Sequence, residues 1–240
     1  MAAVRMATIN INGITSHTRI TLLAEFLRAW EVDILLTQEV TQLVLHTIRG
    51  YSTLYNIGTE GRGTAIVARD GIQLENIARL PSGRAMAVTF RDITLINIYA
   101  PSGSARRQDR ELFYSNELPH VLPMGTPHIV LAGDFNCTQE QGDTTGKINR
   151  CRVLTDLVNG LALRDAWQRS LAQPGYTHYS SAGASRIDRI YVTGDLLQRK
   201  KGIETIATAF TDHLAVSLHI TTAFGKERPG NMENGYRHAS

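Results

Sequence analysis

Apolar and polar side chains alternate in short runs from one end of the chain to the other, the signature of strands with one face buried. In residues 6–11 (MATINI), Ile9 and Ile11 point to one face and Thr8, Asn10 and then Asn12 to the other, before Gly13 turns the chain. Similar apolar runs predict strands over 6–11, 33–38, 63–69, 84–90, 92–99, 128–133, 176–180, 186–192, 203–209 and 214–220, punctuated by Gly, Pro, Asn and Asp. A helical period appears over 18–30, where Ile20, Leu23, Leu27 and Trp30 share a face behind Ser16 or Thr18 as cap. Weaker helical patterns cover 107–118 and 150–159. Many strands with few helices between them predict an α/β sandwich built on two sheets. Neither a repeat nor a change of composition divides residues 1–221, which are expected to form the domain. The stretch 222–240 is polar and patternless and reads as a tail or the start of a linker.

Composition narrows the class without naming it. The 240 residues are 42% hydrophobic and 20% charged, enough apolar material for a sizeable core. No apolar run approaches the ~20 residues that span a bilayer, so no membrane partner is expected. The two cysteines, Cys137 and Cys151, are too few for a disulfide framework and read as reduced thiols of an intracellular, non-secreted protein. Charge is uneven: residues 1–140 carry 12 basic and 13 acidic side chains, net −1, while 141–240 carry 13 and 9, net +4. Of the basic residues 21 are Arg and 4 are Lys, and Arg grips phosphate with two donors at once. A net charge of +3 permits a nucleic-acid partner without requiring one.

The polar residues fall where candidate strands end. Strand 33–38 runs into Gln38 and Glu39, strand 92–99 holds Asn97 and ends at Tyr99, and strand 128–133 ends in Gly133-Asp134-Phe135-Asn136. Asp188 lies between Ile187 and Ile190, and Thr211-Asp212-His213 precedes the last strand. Taken singly, Asp134 and Asn136 are ordinary turn residues, Glu39 a solvated carboxylate and His213 a structural imidazole. Asp188 on an apolar strand is less ordinary, because a buried carboxylate needs a partner. Together they place carboxylates, amides, a tyrosine and one imidazole at or beside strand ends, where layered folds collect their sites. Oxygen donors with a single imidazole suit a hard cation such as Mg²⁺ better than zinc.

The order and spelling of these elements resemble the DNase I-like superfamily of metal-dependent phosphodiesterases. Within it they are similar to the exonuclease III/AP-endonuclease branch, and most similar to endonuclease domains of LINE-type (non-LTR) retrotransposons. The resemblance rests on NING at 10–13, QE at 38–39, NIYAP at 97–101, GDFN at 133–136, SRIDRI at 185–190 and TDH at 211–213. It implies a four-layer α/β sandwich, two packed and mostly antiparallel sheets flanked by helices. It also implies a metal site for Mg²⁺, with Mn²⁺ as a substitute, at Glu39, Asn10 and Asp212. Asp134 would orient or deprotonate the attacking water with Asn136 fixing the geometry, and His213, held by Asp188, would donate to a phosphate oxygen. Tyr99 matches a phosphate-contacting tyrosine. Asn12 stands where AP endonucleases carry an acid, and Ser102 where many relatives have Asn.

For DNA contact the resemblance points to Thr177, Ser102 and Ser185, with 178–186 as a hairpin entering the minor groove, where shape is read more than sequence. Arg106 and Arg107, with Arg110, are placed to follow a phosphate backbone, the alternative being a solvated helix face shared with Asp109 and Glu111. The expected activity is nicking of one strand of double-stranded DNA, leaving a 3′-hydroxyl from which a covalently linked reverse transcriptase domain primes. The expected place of action is the nucleus, after cytoplasmic synthesis, with the isolated domain monomeric. The alternatives are an AP endonuclease of DNA repair, a phosphatase of small phosphate esters on the same fold, and a DNA-binding module without catalysis.

Overall fold

The computed structural model describes residues 3–41, 45–123, 125, 127–167, 175–181 and 183–222. Of the tail expected over 222–240, residues 223–240 lie outside the described residues. The first sheet contains β1 (Ala3–Asn10), β2 (Ile34–Val40), β3 (Tyr51–Ile57) and β4 (Gly63–Arg69). The second contains β5 (Glu75–Arg79), β6 (Ala85–Phe90), β7 (Ile93–Tyr99), β8 (His128–Asp134) and β9 (Leu163–Asp165). A separate hairpin is formed by β10 (His178–Ser180) and β11 (Gly183–Ser185). Strand β12 (Asp188–Thr193) then rejoins the second sheet, and β13 (Lys200–Ile206) and β14 (Ala215–Thr221) complete the first. The strand orders are β13-β14-β1-β2-β4-β3 and β5-β6-β7-β8-β12-β9. Each sheet has one parallel pair at its centre, β1 with β2 and β7 with β8, and antiparallel pairs elsewhere.

Three apolar clusters separate four layers. Helix α1 (His17–Ala29), capped by Ser16 Oγ accepting from the Arg19 N–H at 3.3 Å, lays Leu23 and Leu27 on Ile9, Leu35 and Ala65 of the first sheet. Between the sheets lie Val4, Met6, Ile34 and Leu36 against Leu95, Val130, Ile190 and Val192. The outer face of the second sheet is covered by a continuous run of helical turns. It comprises α2 (Arg107–Leu112), a π turn (Phe113–Glu117) and a 3₁₀ turn (Leu118–Val121), joined by α3 (Arg152–Gly160). A short helix, α4 (Gly194–Gln198), links β12 to β13.

The period-two rule locates the polar end of this sandwich. Along β1 the inward side chains are Val4, Met6, Thr8 and Asn10; along β2, Ile34, Leu36 and Gln38. Along β7 they are Ile93, Leu95, Asn97 and Tyr99, and along β8, Val130, Ala132 and Asp134. Antiparallel β12 starts at this end with Asp188, directly opposite Asp134. The layer between the sheets is thus apolar through most of its depth and polar at one mouth. Buried amides line the floor of that mouth: Gln38 Nε2 donates to Thr8 Oγ1 at 2.9 Å and to Asn97 Oδ1 across the sheets at 2.7 Å. Asn97 in turn donates to the Thr37 and Ala65 carbonyls.

The strand expected at 203–209 runs three residues earlier, with a register shift between Lys200 and Gly202. Strands β3, β5, β9 and β11 carried no run that marked them. Gly133 has a steric role: at φ +144, a Cβ there would lie 2.0 Å from the Ile98 carbonyl oxygen of β7. Gly133→Ala should push β8 off β7 just before Asp134. The expected cost is roughly 2–4 kcal/mol of unfolding free energy in urea, whereas a loss under 1 kcal/mol would mean that the pairing is not constrained there.

Candidate active site

Two side chains close the mouth. Asn10 Nδ2 donates to Glu39 Oε1 at 3.1 Å and to Asp134 Oδ2 at 2.9 Å, so a single amide group ties a carboxylate of one sheet to a carboxylate of the other. Its orientation is set by the Asn12 N–H, which donates to Asn10 Oδ1 at 2.9 Å. Glu39 sits at a register shift in β2 with a φ of +55, which turns its carboxylate towards Asn10 and Tyr99. The Tyr99 hydroxyl donates to Glu39 Oε1 at 3.1 Å, and burial followed by the Glu39 charge pushes its pKa to about 12. Asp134 Oδ1 accepts from the Asn136 N–H at 2.9 Å, and Asn136 Nδ2 caps the Ala100 carbonyl at 2.9 Å.

Opposite Asp134, His213 Nδ1 meets Asp188 Oδ2 at 2.8 Å. Burial alone would lower the imidazole pKa, but the Asp188 charge and hydrogen bond, with Asp134 and Asp212 behind them, raise it to about 10. His213 is therefore an imidazolium at neutral pH, its Nδ1–H given to Asp188. Asp134 moves up too, to about 7, first through burial and then through the Asp188 charge, against the opposing pull of His213. Asp134, Asp188 and His213 bring one ligand atom each within 4.8 Å of one another, a group able to hold a metal ion.

The loop of His213 is stitched to β1 by Thr211 Oγ1, which donates to the Asn10 carbonyl at 2.8 Å. Thr177 is fully buried, and its Oγ1 accepts from the Ile187 and Asp188 N–H groups at 3.2 and 3.0 Å. That corrects its expected place on the DNA surface: Thr177 positions Asp188 from below. Arg110 is corrected as well. It is 1% exposed and spends its guanidinium on the Pro101 and Gly103 carbonyls and on Asn149, holding the chain after Tyr99 rather than facing solvent.

Arg107 pairs along its own helix with Glu111, and Arg106 with Asp109. Arg106 and exposed Ser102 also line a cleft beside Tyr99. Ser185, half-buried, is at the base of the expected hairpin, its carbonyl accepting from the Thr177 N–H. Asp212 is exposed, 3.4 Å from Asn12 Nδ2 and 3.6 Å from His178 Nε2. Asn10 turns its nitrogen rather than its oxygen to Glu39, so in this arrangement it bridges carboxylates instead of offering an oxygen ligand. Three residues near the site carry no sequence motif: His178, whose ring lies 4.8 Å from that of His213, and Arg62 and Arg84, brought in by turns between strands.

Residues 7–213 match the model of the Endonuclease/Exonuclease/phosphatase family, and the chain belongs to it. That family makes it a hydrolase. It is 24% identical over 247 aligned residues to the "Transposon TX1 uncharacterized 149 kDa protein" of Xenopus laevis, an alignment covering 92% of this chain and 18% of that protein. The chain therefore spans about a fifth of that relative. Its fold is shared with an AP endonuclease from Archaeoglobus fulgidus (TM-score 0.76, 22% identity, 91% of this chain and 100% of that one). The 3′ phosphatase NExo from Neisseria, solved with product DNA hairpin, aligns at TM-score 0.78 and 19% identity over 91% of this chain and 100% of that one. The endonuclease domain of TRAS1, a telomere-specific non-LTR retrotransposon, aligns at TM-score 0.66 and 17% identity over 91% and 98%.

The His213–Asp188 pair gives a pH signature. With a folded pKa of about 10 against 6.5 for the free side chain, its stabilisation is complete below pH 6.5 and is lost as pH rises to 10. The unfolding free-energy gap between the native chain and His213→Gln should be flat in acid and close over that window. A gap independent of pH between 6 and 10 would show that His213 is not held as an imidazolium.

Proposed function

We propose that this chain is the endonuclease domain of a LINE-type non-LTR retrotransposon. It nicks one strand of target DNA with Mg²⁺ and exposes a 3′-hydroxyl from which reverse transcription is primed. The observation that carries the hydrolytic part is the facing of two differently tuned groups across one mouth, Asp134 near neutrality and His213 as an imidazolium. The retrotransposon part is supported by similarity to the TX1 transposon protein and by the NING and NIYAP spelling. Neutral Asn12, where AP endonucleases carry an acid, weighs against abasic-site repair. The covalent reverse transcriptase partner and action in the nucleus follow from the same reading.

The donor set fits the cation this reading needs. Glu39 offers a carboxylate at the rim, 15% exposed and held by Asn10, Tyr99 and the exposed Arg62, whereas Asp188 and His213 are buried and bonded to each other. Glu39 would hold Mg²⁺, with Asp212 nearby in the loop beside Asn12. When bound, the cation supplies neutralisation of the scissile phosphate and of the departing oxygen. Asp134, raised towards 7, accepts the proton of the attacking water as its oxygen bonds to phosphorus. Asn136, tied by its N–H to Asp134, keeps the carboxylate aimed. His213 donates from Nε2 to a non-bridging phosphate oxygen, oriented by Asp188 as negative charge builds there. The P–O3′ bond breaks as its electron pair goes to O3′, which takes a proton from solvent, leaving a 3′-hydroxyl and a 5′-phosphate while Asp134 later returns its proton to water.

Supercoiled plasmid tests this directly. Open circles should appear with Mg²⁺, vanish with EDTA and with Asp134→Ala, and fall about 10²–10³-fold with His213→Ala. Nicking that survives Asp134→Ala would remove the assigned base. A folded protein that leaves plasmid closed but hydrolyses small phosphate esters would move the substrate to the phosphatase reading.

A further inference from the structure

The Glu39 carboxylate is not free to take a cation. Oε1 accepts from Asn10 and Tyr99, and Oε2 is paired with Arg62 Nη1 at 2.5 Å. Arg62 is the last residue of the β3–β4 turn, and its carbonyl accepts from the Gly58 N–H at 3.0 Å. Close packing with the β5–β6 turn fixes the place of this turn. At Gly83, with φ +76, a Cβ would sit 2.3 Å from the Gly58 nitrogen and 2.7 Å from the Arg62 carbonyl oxygen. The backbone of Arg62 is thus pinned while its side chain, 56% exposed, reaches over Glu39 from solvent.

The same contact sets a second arginine beside it. Arg84 lies over the Tyr99 ring, 5.2 Å from its centroid, and donates to the Tyr99 carbonyl. Arg62, Arg84, Arg106 and Ser102 line a cleft of about 260 Å³ alongside Tyr99. At roughly 30 Å³ per water, this is room for a phosphate group with its waters. Among the described residues Glu60, whose side chain is 71% exposed and 3.6 Å from Arg84, is the one carboxylate in the lining.

We propose that Arg62 is an internal cation that holds the place of the divalent metal on Glu39, and that a phosphate in the neighbouring arginine-lined cleft draws it away. Metal binding and binding of the DNA backbone are thereby coupled. The inference rests on reading Glu39 as the metal's ligand. An exposed guanidinium gives up such a pair at little cost once another anion is offered, because the pairing of an exposed partner is weak. The cleft offers that anion a bidentate Arg62, the Arg84 guanidinium and the Ser102 hydroxyl. Without a phosphate, Arg62 competes with the metal; with one, the metal enters a vacated carboxylate. The protein would remain poorly charged with metal away from DNA.

The test is Mn²⁺ titration of the whole chain by calorimetry and by the loss of the free-ion electron paramagnetic resonance signal. It uses the native protein, Arg62→Gln and Glu39→Gln, in chloride and in sulfate of matched ionic strength, sulfate standing in for the phosphate. Arg62→Gln should bind Mn²⁺ about fivefold more tightly in chloride, an affinity change equivalent to about 1 kcal/mol. Sulfate should tighten binding to the native protein several-fold and leave Arg62→Gln unmoved. Binding lost in Glu39→Gln but unchanged in Arg62→Gln would overturn the exchange while keeping the metal assignment. Binding unaffected by Glu39→Gln would overturn both.

Discussion

One amide holds the mouth of this protein together. Asn10 has two N–H groups on a single nitrogen and gives them to carboxylates that belong to different sheets, Glu39 and Asp134. Without that bridge, the two carboxylates would keep their separate donors, Tyr99 and Arg62 on Glu39 and the Asn136 N–H on Asp134, but no group shared between the sheets would offset their repulsion. Its orientation is fixed by the Asn12 N–H, and the loop bearing His213 is fastened to the same residue through Thr211. The Gln38–Asn97 contact one layer deeper repeats the device with two amides. The sheets are therefore joined at this end by polar bonds of defined geometry, which aliphatic packing alone would not supply.

The chemistry follows from how unequally the mouth treats its charges. Asp134 and Asp188 face each other across neighbouring strands, both buried. Only one of them has a cation of its own: His213 is bonded to Asp188, so burial and the Asp188 charge lift Asp134 instead. In the proposed reaction one carboxylate orients the imidazole and the other accepts the proton, a division made by their neighbours and not by their own chemistry. Thr177 maintains it from beneath by holding the N–H groups of Ile187 and Asp188, where β12 begins. Glu39, at the rim, is left with donors alone around it, Asn10, Tyr99 and Arg62, the arrangement a cation would replace.

Much of this was legible in the sequence because the site lies at strand ends, where an alternating run gives out into polar residues. Asn10, Glu39, Tyr99, Asp134, Asp188 and His213 stand together as the motif order implied. Alternation also found most inner strands, since one buried face imposes period two. It failed at β3 and β5, edge strands whose side chains are largely half-buried or exposed, so YSTLYNI and ENIAR show no apolar rhythm. Burial of single polar residues was the harder matter. Thr177 holds backbone N–H groups and Arg110 gives its guanidinium to backbone carbonyls, partners that leave no mark in the sequence, so resemblance and a place just past NIYAPSGS set them at the DNA surface. Arg62 and Arg84 arrive through the packing of two turns, which no local pattern records.

The account turns on in-line hydrolysis at the oxygen that leaves as a 3′-hydroxyl. The most direct measurement is extension of the nick itself: plasmid opened by the protein is given DNA polymerase and labelled nucleotides, with no treatment of the ends. Immediate incorporation at the nick is the predicted result. Incorporation only after a 3′-phosphatase treatment would place the break on the other side of phosphorus and contradict the account.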